Sequence, residues 1–521
     1  MVALAQERHR RQNFPWHQVV FLRYKWLTFP LLSISNGPPQ NDSKTIRASM
    51  ENNWNHITNS LGTNLLQMPS KVKHVPSGNS FTTDTRKIST NQWFVPLKGI
   101  THNGHKFLAK FLKDKPEDGA LCEQEFLHMV PETLHPRLLV VKDSLKAYQQ
   151  LAHGWRQKFS SLELVALTGS VGKTTCKQML GQILKQHESH ATLPFAGNFN
   201  NEIGVPQTLL TLNSKHKFAV LELGARNIGH IETLVQMVDP TIKMCLNVGS
   251  AHIGEFKSLD NTYKAKLEIF TQSPRTHSHI CFHDDKKLLF GAKKEKIKLL
   301  SFGTNRDADV KLIKIQRHKD KSSRIHVLAL GNTLEIRLPS AHEGLTMNAL
   351  AAVAAAKSLN INNKSICQGL ENFENEQGRY QLHHTKSLSI IDDTYNSSPE
   401  SASAGLKSFA EDYKGEKKVV ILGDMLELGT NTQEEHEKLG EICATEVRPE
   451  LLISIGKDSI FTTNAAKNLE TKGMETLHFP NCESFLKEKF RLDSFGSILY
   501  IKGSRGIHLE KIVESLLHQD Q

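Results

Sequence analysis

Residues 168–180 read TGSVGKTTCKQML, and they follow directly on the apolar run LELVALT at 162–168. A short apolar run closed off by glycine predicts a buried strand. Beyond the loop, Cys176, Met179, Leu180, Ile183 and Leu184 recur at i, i+3, i+4, i+7 and i+8, which is one face of a helix. A strand, a glycine-bearing loop and an amphipathic helix in that order form a phosphate-binding unit. Gly169 and Gly172 have no Cβ to block the backbone, so the stretch Thr168, Gly169, Ser170, Val171, Gly172, Lys173, Thr174, Thr175 can close around phosphate oxygens. The free N–H groups and dipole of a helix opening at Lys173 favour an anion at the same place. Lys173 is then spaced to reach the terminal phosphates, and the Thr174 hydroxyl to bind Mg²⁺. Leu167 stands where the longer eight-residue pattern has glycine, so the loop is the shorter G-x-x-G-K-T form. The bland alternative is an ordinary strand-to-helix turn; the strand before and the amphipathic helix after are the context that favours the phosphate loop.

Downstream, FAVLELG (218–224) and IKMCLNVG (242–249) read as further buried strands with a helical stretch between them. That recurrence predicts a parallel sheet with covering helices. After about residue 380 the alternation restarts, with LSIIDD, KKVVILGD, LLISIG and ILYIKG as strands and PESASAGLKSFAEDY as one of the intervening helices. This is a second doubly wound unit without a G-x-G-x-x-G fingerprint, so no dinucleotide site is indicated. Upstream, QWFVPLKG (92–99) and RLLVVKD (137–143) are strand-like and GHKFLAKFL helical, which suggests a small α/β domain. The expected class is α/β in three domains, at 49–157, 158–380 and 381–521.

Bulk properties agree. A chain of 521 residues is too long for one core. A formal charge of +11 favours anionic partners such as nucleotides, although lysine runs such as KKEKIK (293–298) also suit solvated faces. Seven scattered cysteines without a C-x-x-C pair argue against a zinc site or a disulfide framework, and suit a reducing compartment. No apolar run is long enough to span a membrane. The first 48 residues carry seven Lys/Arg against two acidic residues, and VVFLRYKWLTFPLL is too short and too charged for a signal or transit peptide. They are expected to form a disordered basic extension, to which no function is assigned.

Several polar segments sit where ligands collect in such sheets. GNFNNEIGVP (197–206) is too polar and glycine-rich for a core element and predicts a surface loop. Glu222 ends a buried strand, where a carboxylate can bind Mg²⁺ or its water, or can simply face solvent. His252 lies just past the next strand; a lone histidine there is a metal ligand or a structural residue. Lys264 and Lys266 fall on a helix, where lysines are ordinarily solvated. DDTYNSSPES (392–401) leaves a strand with two carboxylates.

Taken in order, TGSVGKTT, GNFNNEIGVPQTLL, ELGAR, NVGSAHIGEF, KAKLEIF, NALAAVAAA, QGRYQ, DDTYNSSPES, ILGDMLELG and KGSRG resemble the motifs of the Mur ligases over about residues 50–518. GNFNNEIGVP and DDTYNSSPES point to the branch that adds D-alanyl-D-alanine to UDP-N-acetylmuramoyl-tripeptide. Sister branches have an aspartate–tyrosine–alanine–histidine type sequence at the second place. The resemblance implies a UDP-binding first domain, a central P-loop ATPase-like domain and a mobile Rossmann-like C-terminal domain. It implies ATP and Mg²⁺ as cofactors, an acyl phosphate on the tripeptide, and attack by the dipeptide amine in cytoplasmic peptidoglycan precursor synthesis. The expected protein is a monomer with small-molecule partners and neither nucleic acid nor membrane.

By the same resemblance, Lys173, Glu222, His252 and Lys266 are catalytic. Thr174, Glu222, His252 and a carbamylated Lys266 hold metal, and Asn348, Arg379 and Asp393 bind nucleotide. Thr83, Asp84, Arg86, Lys98, Asn103, Gly104 and His105 take the uridine side. Asn198, Asn200, Asn201, Tyr395 and Asn396 complete the substrate contacts. The chain departs from the family pattern at HEGLTM, where His342 and Gly344 are reversed, at His230, and at Glu255, displaced by one place. Three rival readings remain: a sister ligase, a regulatory GTPase, which the missing N-K-x-D motif disfavours, and a nucleic-acid-binding protein, for which no motif is present.

Overall fold

Unbroken apolar strands need cover on both faces, and strands that alternate need it on one. Both kinds occur here. The computed structural model describes residues 53–518 apart from 88, 195, 196, 198, 252, 295, 470–472 and 489, so the basic extension, Asn198 and His252 lie outside the described residues. The first sheet contains β1 (Leu65–Gln67), β2 (Phe81–Thr82), β3 (Trp93–Phe94), β4 (Ala120–Glu123) and β5 (Leu138–Val141). Its order is β1-β5-β4-β3-β2, with only the β1–β5 pair antiparallel. QWFVPLKG contributes just two strand residues because the chain turns tightly after Leu97, where the Gly104 N–H donates to the Leu97 carbonyl at 2.9 Å. GHKFLAKFL is a 3₁₀ turn, Gly104–Phe107, running into the helix Leu108–Asp114.

The central sheet has eight strands: β6 (Glu163–Thr168), β7 (Phe218–Glu222), β8 (Ile242–Cys245), β9 (Ser278–Phe282), β10 (Lys298–Gly303), β11 (Val310–Arg317), β12 (Ser323–Ala329) and β13 (Asn332–Leu338). Their order is β13-β12-β11-β10-β9-β8-β6-β7. Strands β6 to β11 pair in parallel, and β11 to β13 form an antiparallel meander. The chain leaves β6 for β7 on one side and crosses back to β8 on the other. That reversal opens a crevice at the carboxyl end of β6, the place where ligands bind in open α/β sheets.

β6 is buried on both faces. Leu164 and Ala166 join a cluster with Leu151, Val205 and Val235 that continues into the first sheet through Leu121 and Leu139. Val165 and Leu167 join the opposite cluster with Cys176, Met179, Leu180, Ile183 and Leu184, the predicted face of the helix Lys173–His187. The alanine-rich helix Glu343–Ser358 packs into the same cluster.

The third sheet contains β14 (Gln381–His384), β15 (Ser389–Asp393), β16 (Lys418–Gly423), β17 (Leu451–Ile455), β18 (Glu475–Phe479) and β19 (Ile498–Lys502). Its order is β14-β15-β19-β16-β17-β18, parallel except at β14. The α/β class with three sheets is as expected. All seven cysteines are free thiols. No helix among the described residues is long and apolar enough to cross a membrane.

Candidate active site at the phosphate loop

The loop is built from the end of β6. Thr168 anchors it by donating its hydroxyl to the Leu223 carbonyl at 2.8 Å. Gly172 then takes φ +83°, and the helix opens at Lys173. A segment following β8 wraps the loop from outside. The Ser170 N–H donates to the Asn247 carbonyl at 3.2 Å, and the Val171 N–H to Asn247 Oδ1 at 3.0 Å. Asn247 Nδ2 donates back to the Val171 carbonyl at 3.1 Å, and the Gly249 N–H to Ser170 Oγ at 2.8 Å. Lys173 curls over the loop's centre, its Nζ donating to the carbonyls of Gly169 at 2.8 Å and Ser170 at 3.2 Å. Burial lowers its pKa, against the pull of Glu222.

Asn348 reaches the loop from the helix Glu343–Ser358. Its Oδ1 lies 2.4 Å from the point where a Cβ on Gly172 would stand. A side chain there meets both a left-handed backbone and Asn348. Gly172→Ala is therefore expected to cost roughly 1–2 kcal/mol of stability from backbone strain alone and to weaken nucleotide binding, which chemical denaturation and ligand titration would check. An unchanged midpoint and affinity would contradict this account of the loop. Thr175 follows in the helix's first turn, half-buried.

Glu222 does not face solvent. It is 3% exposed, and Thr174 donates its hydroxyl to Glu222 Oε2 at 3.1 Å. The other carboxylate oxygen pairs with Lys177 Nζ at 2.8 Å, and Lys177 also donates to the Gly197 carbonyl at 2.7 Å. A hydroxyl and a carboxylate, hard oxygen donors side by side at the phosphate end of a helix, fit Mg²⁺. No group of three His, Cys, Asp or Glu side chains among the described residues gathers closely enough to hold a metal ion.

The two candidate lysines separate. Lys264 is exposed, whereas Lys266 is 2% exposed, sharing the buried face of the helix Leu259–Leu267 with Thr262 and Ala265. Its Nζ sits 5.6 Å from the Phe256 ring centre. Burial, with Lys173 nearby, pushes its pKa down to about 7. Among the described residues no ion pair joins Lys266 to Glu268, which acts on it only through space while its carboxylate caps the helix His230–Val238. Glu268 accepts N–H bonds from Gly229 at 2.5 Å and from Ile231 and Glu232 at 3.2 Å.

Across the crevice lies the third sheet. Arg379 stacks on Tyr395, its guanidinium carbon 3.9 Å from the ring centre, with Arg505 at 5.6 Å from the same ring. Arg379 Nε donates to Glu376 at 3.0 Å, and Gln178 of the phosphate-loop helix donates to the other Glu376 oxygen. A cleft of about 450 Å³ is lined by Gly197, Glu376, Gly378, Thr394, Tyr395 and Arg505, among others. Asp393 turns inward: Oδ2 accepts from Lys502 at 2.7 Å and Tyr500 at 2.9 Å, and Oδ1 from the Tyr380 N–H at 3.2 Å. Asn396 offers its carbonyl to Lys502 at 3.0 Å.

In the polar loop, Asn201 Oδ1 accepts the N–H groups of Ile203 at 3.2 Å and Gly204 at 2.8 Å, capping the helix Gly204–Leu209. The Asn200 carbonyl accepts from the Gly224 N–H at 2.7 Å, which holds the loop beside the end of β7. His342 caps the helix Glu343–Ser358, Nδ1 accepting from the Leu345 N–H at 3.2 Å, and burial drops its pKa to about 4.

The first-domain candidates form two groups. Asp84 grips Arg86 through two oxygens, at 2.9 and 3.0 Å, beside Thr83. Lys98 reaches Glu125 at 3.3 Å and bridges to Asn103, and Gly104 follows in the same turn. His105 is neutral and locked: Nδ1 pairs with Asn103 Oδ1 at 2.8 Å, Nε2 accepts from the Glu123 N–H at 3.3 Å, and burial drops its pKa to about 4.

Residues 167–356 match the Mur ligase middle domain, and residues 378–505 the Mur ligase glutamate ligase domain. The UDP-N-acetylmuramoyl-tripeptide–D-alanyl-D-alanine ligase of Bacillus subtilis strain 168 is 31% identical over 439 residues, covering 84% of this chain and 92% of that one. The chain belongs to the Mur ligases. The Escherichia coli K12 ligase of the same name is also 31% identical, over 84% of this Mur ligase and 93% of its own length. A MurF crystal structure from Acinetobacter baumannii superposes with TM-score 0.76 at 29% identity, covering 89% of this chain and 98% of that one. The Thermotoga maritima MurF ligase, crystallised with ADP, shares the fold at TM-score 0.73 and 24% identity, over 85% of this chain and 99% of its own.

Three residues of this Mur ligase's site escape the sequence reading. Asn247 and Lys177 carry signals visible only in hindsight, an asparagine leaving a strand and a lysine one turn beyond Lys173. Arg505 sits in KGSRG, where an arginine between a serine and a glycine carries no signal of its own.

Proposed function

We propose that this Mur ligase joins D-alanyl-D-alanine to UDP-N-acetylmuramoyl-tripeptide at the expense of ATP, in the cytoplasm and as a monomer, to supply peptidoglycan precursor. The observation that carries the reading is the phosphate loop with Lys173 at its centre and the Thr174–Glu222 pair beside it, facing Arg379, Tyr395 and Arg505. The names of the relatives and the loops at 197–206 and 392–401 support this substrate class. The three regions 49–157, 158–380 and 381–521 take the UDP-sugar peptide, the ATP and the mobile partner role.

A carboxylate resists attack by an amine until one of its oxygens becomes a leaving group. The terminal carboxylate oxygen of the tripeptide bonds to the γ-phosphorus of ATP as the bond to ADP breaks. The dipeptide amine then bonds to the acyl carbon, phosphate departs with the electron pair, and the amine loses a proton. Lys173 and the N–H groups at the opening of its helix offset charge on the transferring phosphoryl group. Thr174 and Glu222 would hold Mg²⁺, which supplies charge neutralisation on the phosphates. Arg379 and Asn348 border the nucleotide, with Tyr395 stacked against Arg379 and Arg505 nearby. Thr83, Asp84, Arg86 and Lys98 meet the uridine side, around a turn stiffened by Asn103, Gly104 and His105.

ADP release is expected only with both UDP-N-acetylmuramoyl-tripeptide and D-alanyl-D-alanine present, and single amino acids should be nearly inert. A coupled ADP assay decides it. Equal rates with diaminopimelate or glutamate would move the chain to a sister reaction.

A further inference from the structure

Glu400 stands in the first turn of the helix Pro399–Asp412, which covers the third sheet, but it serves the central one. The cap of its own helix is supplied by Ser398, whose hydroxyl accepts the Ser401 N–H at 3.4 Å. Glu400 is thus free to reach across, and its Oε1 accepts the N–H of Ser250. Ser250 ends the segment that wraps the phosphate loop through Asn247 and Gly249. The other oxygen, Oε2, is buried with no hydrogen-bond partner among the described residues. A carboxylate placed only to glue two layers together would be expected to have both oxygens paired, since each unpaired buried acceptor is costly.

We propose that Glu400 is a positioning residue for nucleotide binding: by pinning Ser250, it fixes the 247–250 segment against Ser170 and Val171 and so sets the phosphate loop. A group on the third sheet thereby adjusts the affinity of a loop on the second. Gly249 belongs to the same device, because a Cβ there would lie 2.6 Å from Glu400 Oε1. A side chain at Gly249 would therefore have to displace the Glu400 carboxylate.

The inference rests on the reading of the loop as a nucleotide site, and the test separates the two. Binding of ADP to the full chain is measured by calorimetry, alongside KM for ATP, kcat and Tm. Glu400→Ala should weaken ADP binding and raise KM for ATP by roughly tenfold, about the worth of one charge-assisted hydrogen bond. In that variant kcat should change less than threefold and Tm should hold. Glu400→Gln keeps an acceptor for the Ser250 N–H and should recover most of the affinity. Gly249→Ala, which pushes the carboxylate away without removing it, should reproduce the Glu400→Ala defect. Wild-type binding with Glu400→Ala equally tight would overturn the inference alone, as would a loss of kcat and Tm at unchanged KM. No ADP binding by the wild type would overturn the reading of the loop itself.

Discussion

Lys173→Ala should lower turnover by roughly 10³-fold or more, the usual worth of a cation on a transferring phosphoryl group. Lys173 opens its helix, yet the fold does not leave it as an exposed helix end. The side chain is half-buried and its Nζ is held by two loop carbonyls, Gly169 and Ser170. Removing it costs those bonds, but both acceptors lie in a loop at the mouth of a crevice where water can replace the ammonium. The stability change should therefore stay within about 1 kcal/mol. A second consequence follows from charge. Lys173 is one of the causes that hold the Lys266 pKa low, so its loss should let Lys266 keep its proton to higher pH. The defect should accordingly be deeper at pH 7 than at pH 9. Turnover above a tenth of wild type in single-turnover assays would mean that the loop has been misread.

What could be read in advance was what is local. The strand ending at Thr168, the helix face from Cys176 to Leu184 and the glycine at φ +83° all follow from spacing over a few residues. Burial of individual charges was not legible. Lys264 and Lys266 look alike in sequence, yet a helix turns about 200° between them, so one meets solvent and the other the core. The stripe Thr262, Ala265, Lys266 held the signal, hidden because lysine is rarely counted as a core residue. The buried position of Lys177 is hidden for the same reason.

The central sheet also has more strands than its apolar runs suggest. In β12, Ser323, Ile325, Val327 and Ala329 alternate with Arg324, His326 and Leu328, and the inward set is buried. Period two was present, but arginine and histidine broke the apolar run that drew attention to β6 and β8. In the first sheet, strands of two to four residues are too short for any periodicity to show. The roles of Asn201 and Asp393 depended on partners 2 to 109 residues away, and only coordinates reveal such pairs.

Lys266→Met should abolish turnover and at the same time raise Tm. The wild-type lysine is nearly fully buried with no hydrogen bond to any described residue, and its ordinary pKa of 10.5 falls to about 7, first through burial. Between those two pH values the unfolded chain carries a proton that the folded chain does not. Stability of the unmodified protein therefore rises with pH across that window and is lowest at and below pH 7. Methionine fills a similar volume without a charge to desolvate, so its advantage should be a few kcal/mol near pH 7 and should shrink towards pH 10. Such a cost is understandable if the lysine is kept for chemistry. A neutral amine can add CO₂, losing one proton and becoming a carbamate with a negative charge and two hard oxygens, the donor type that Mg²⁺ prefers. Bicarbonate should then activate enzyme prepared without it, and short carboxylates should partly rescue Lys266→Ala by occupying the same space. Lys266→Arg keeps the cation but cannot form this carbamate. Full activity in that variant, or a Lys266→Met protein that is both active and no more stable, would leave Lys266 as an ordinary buried lysine.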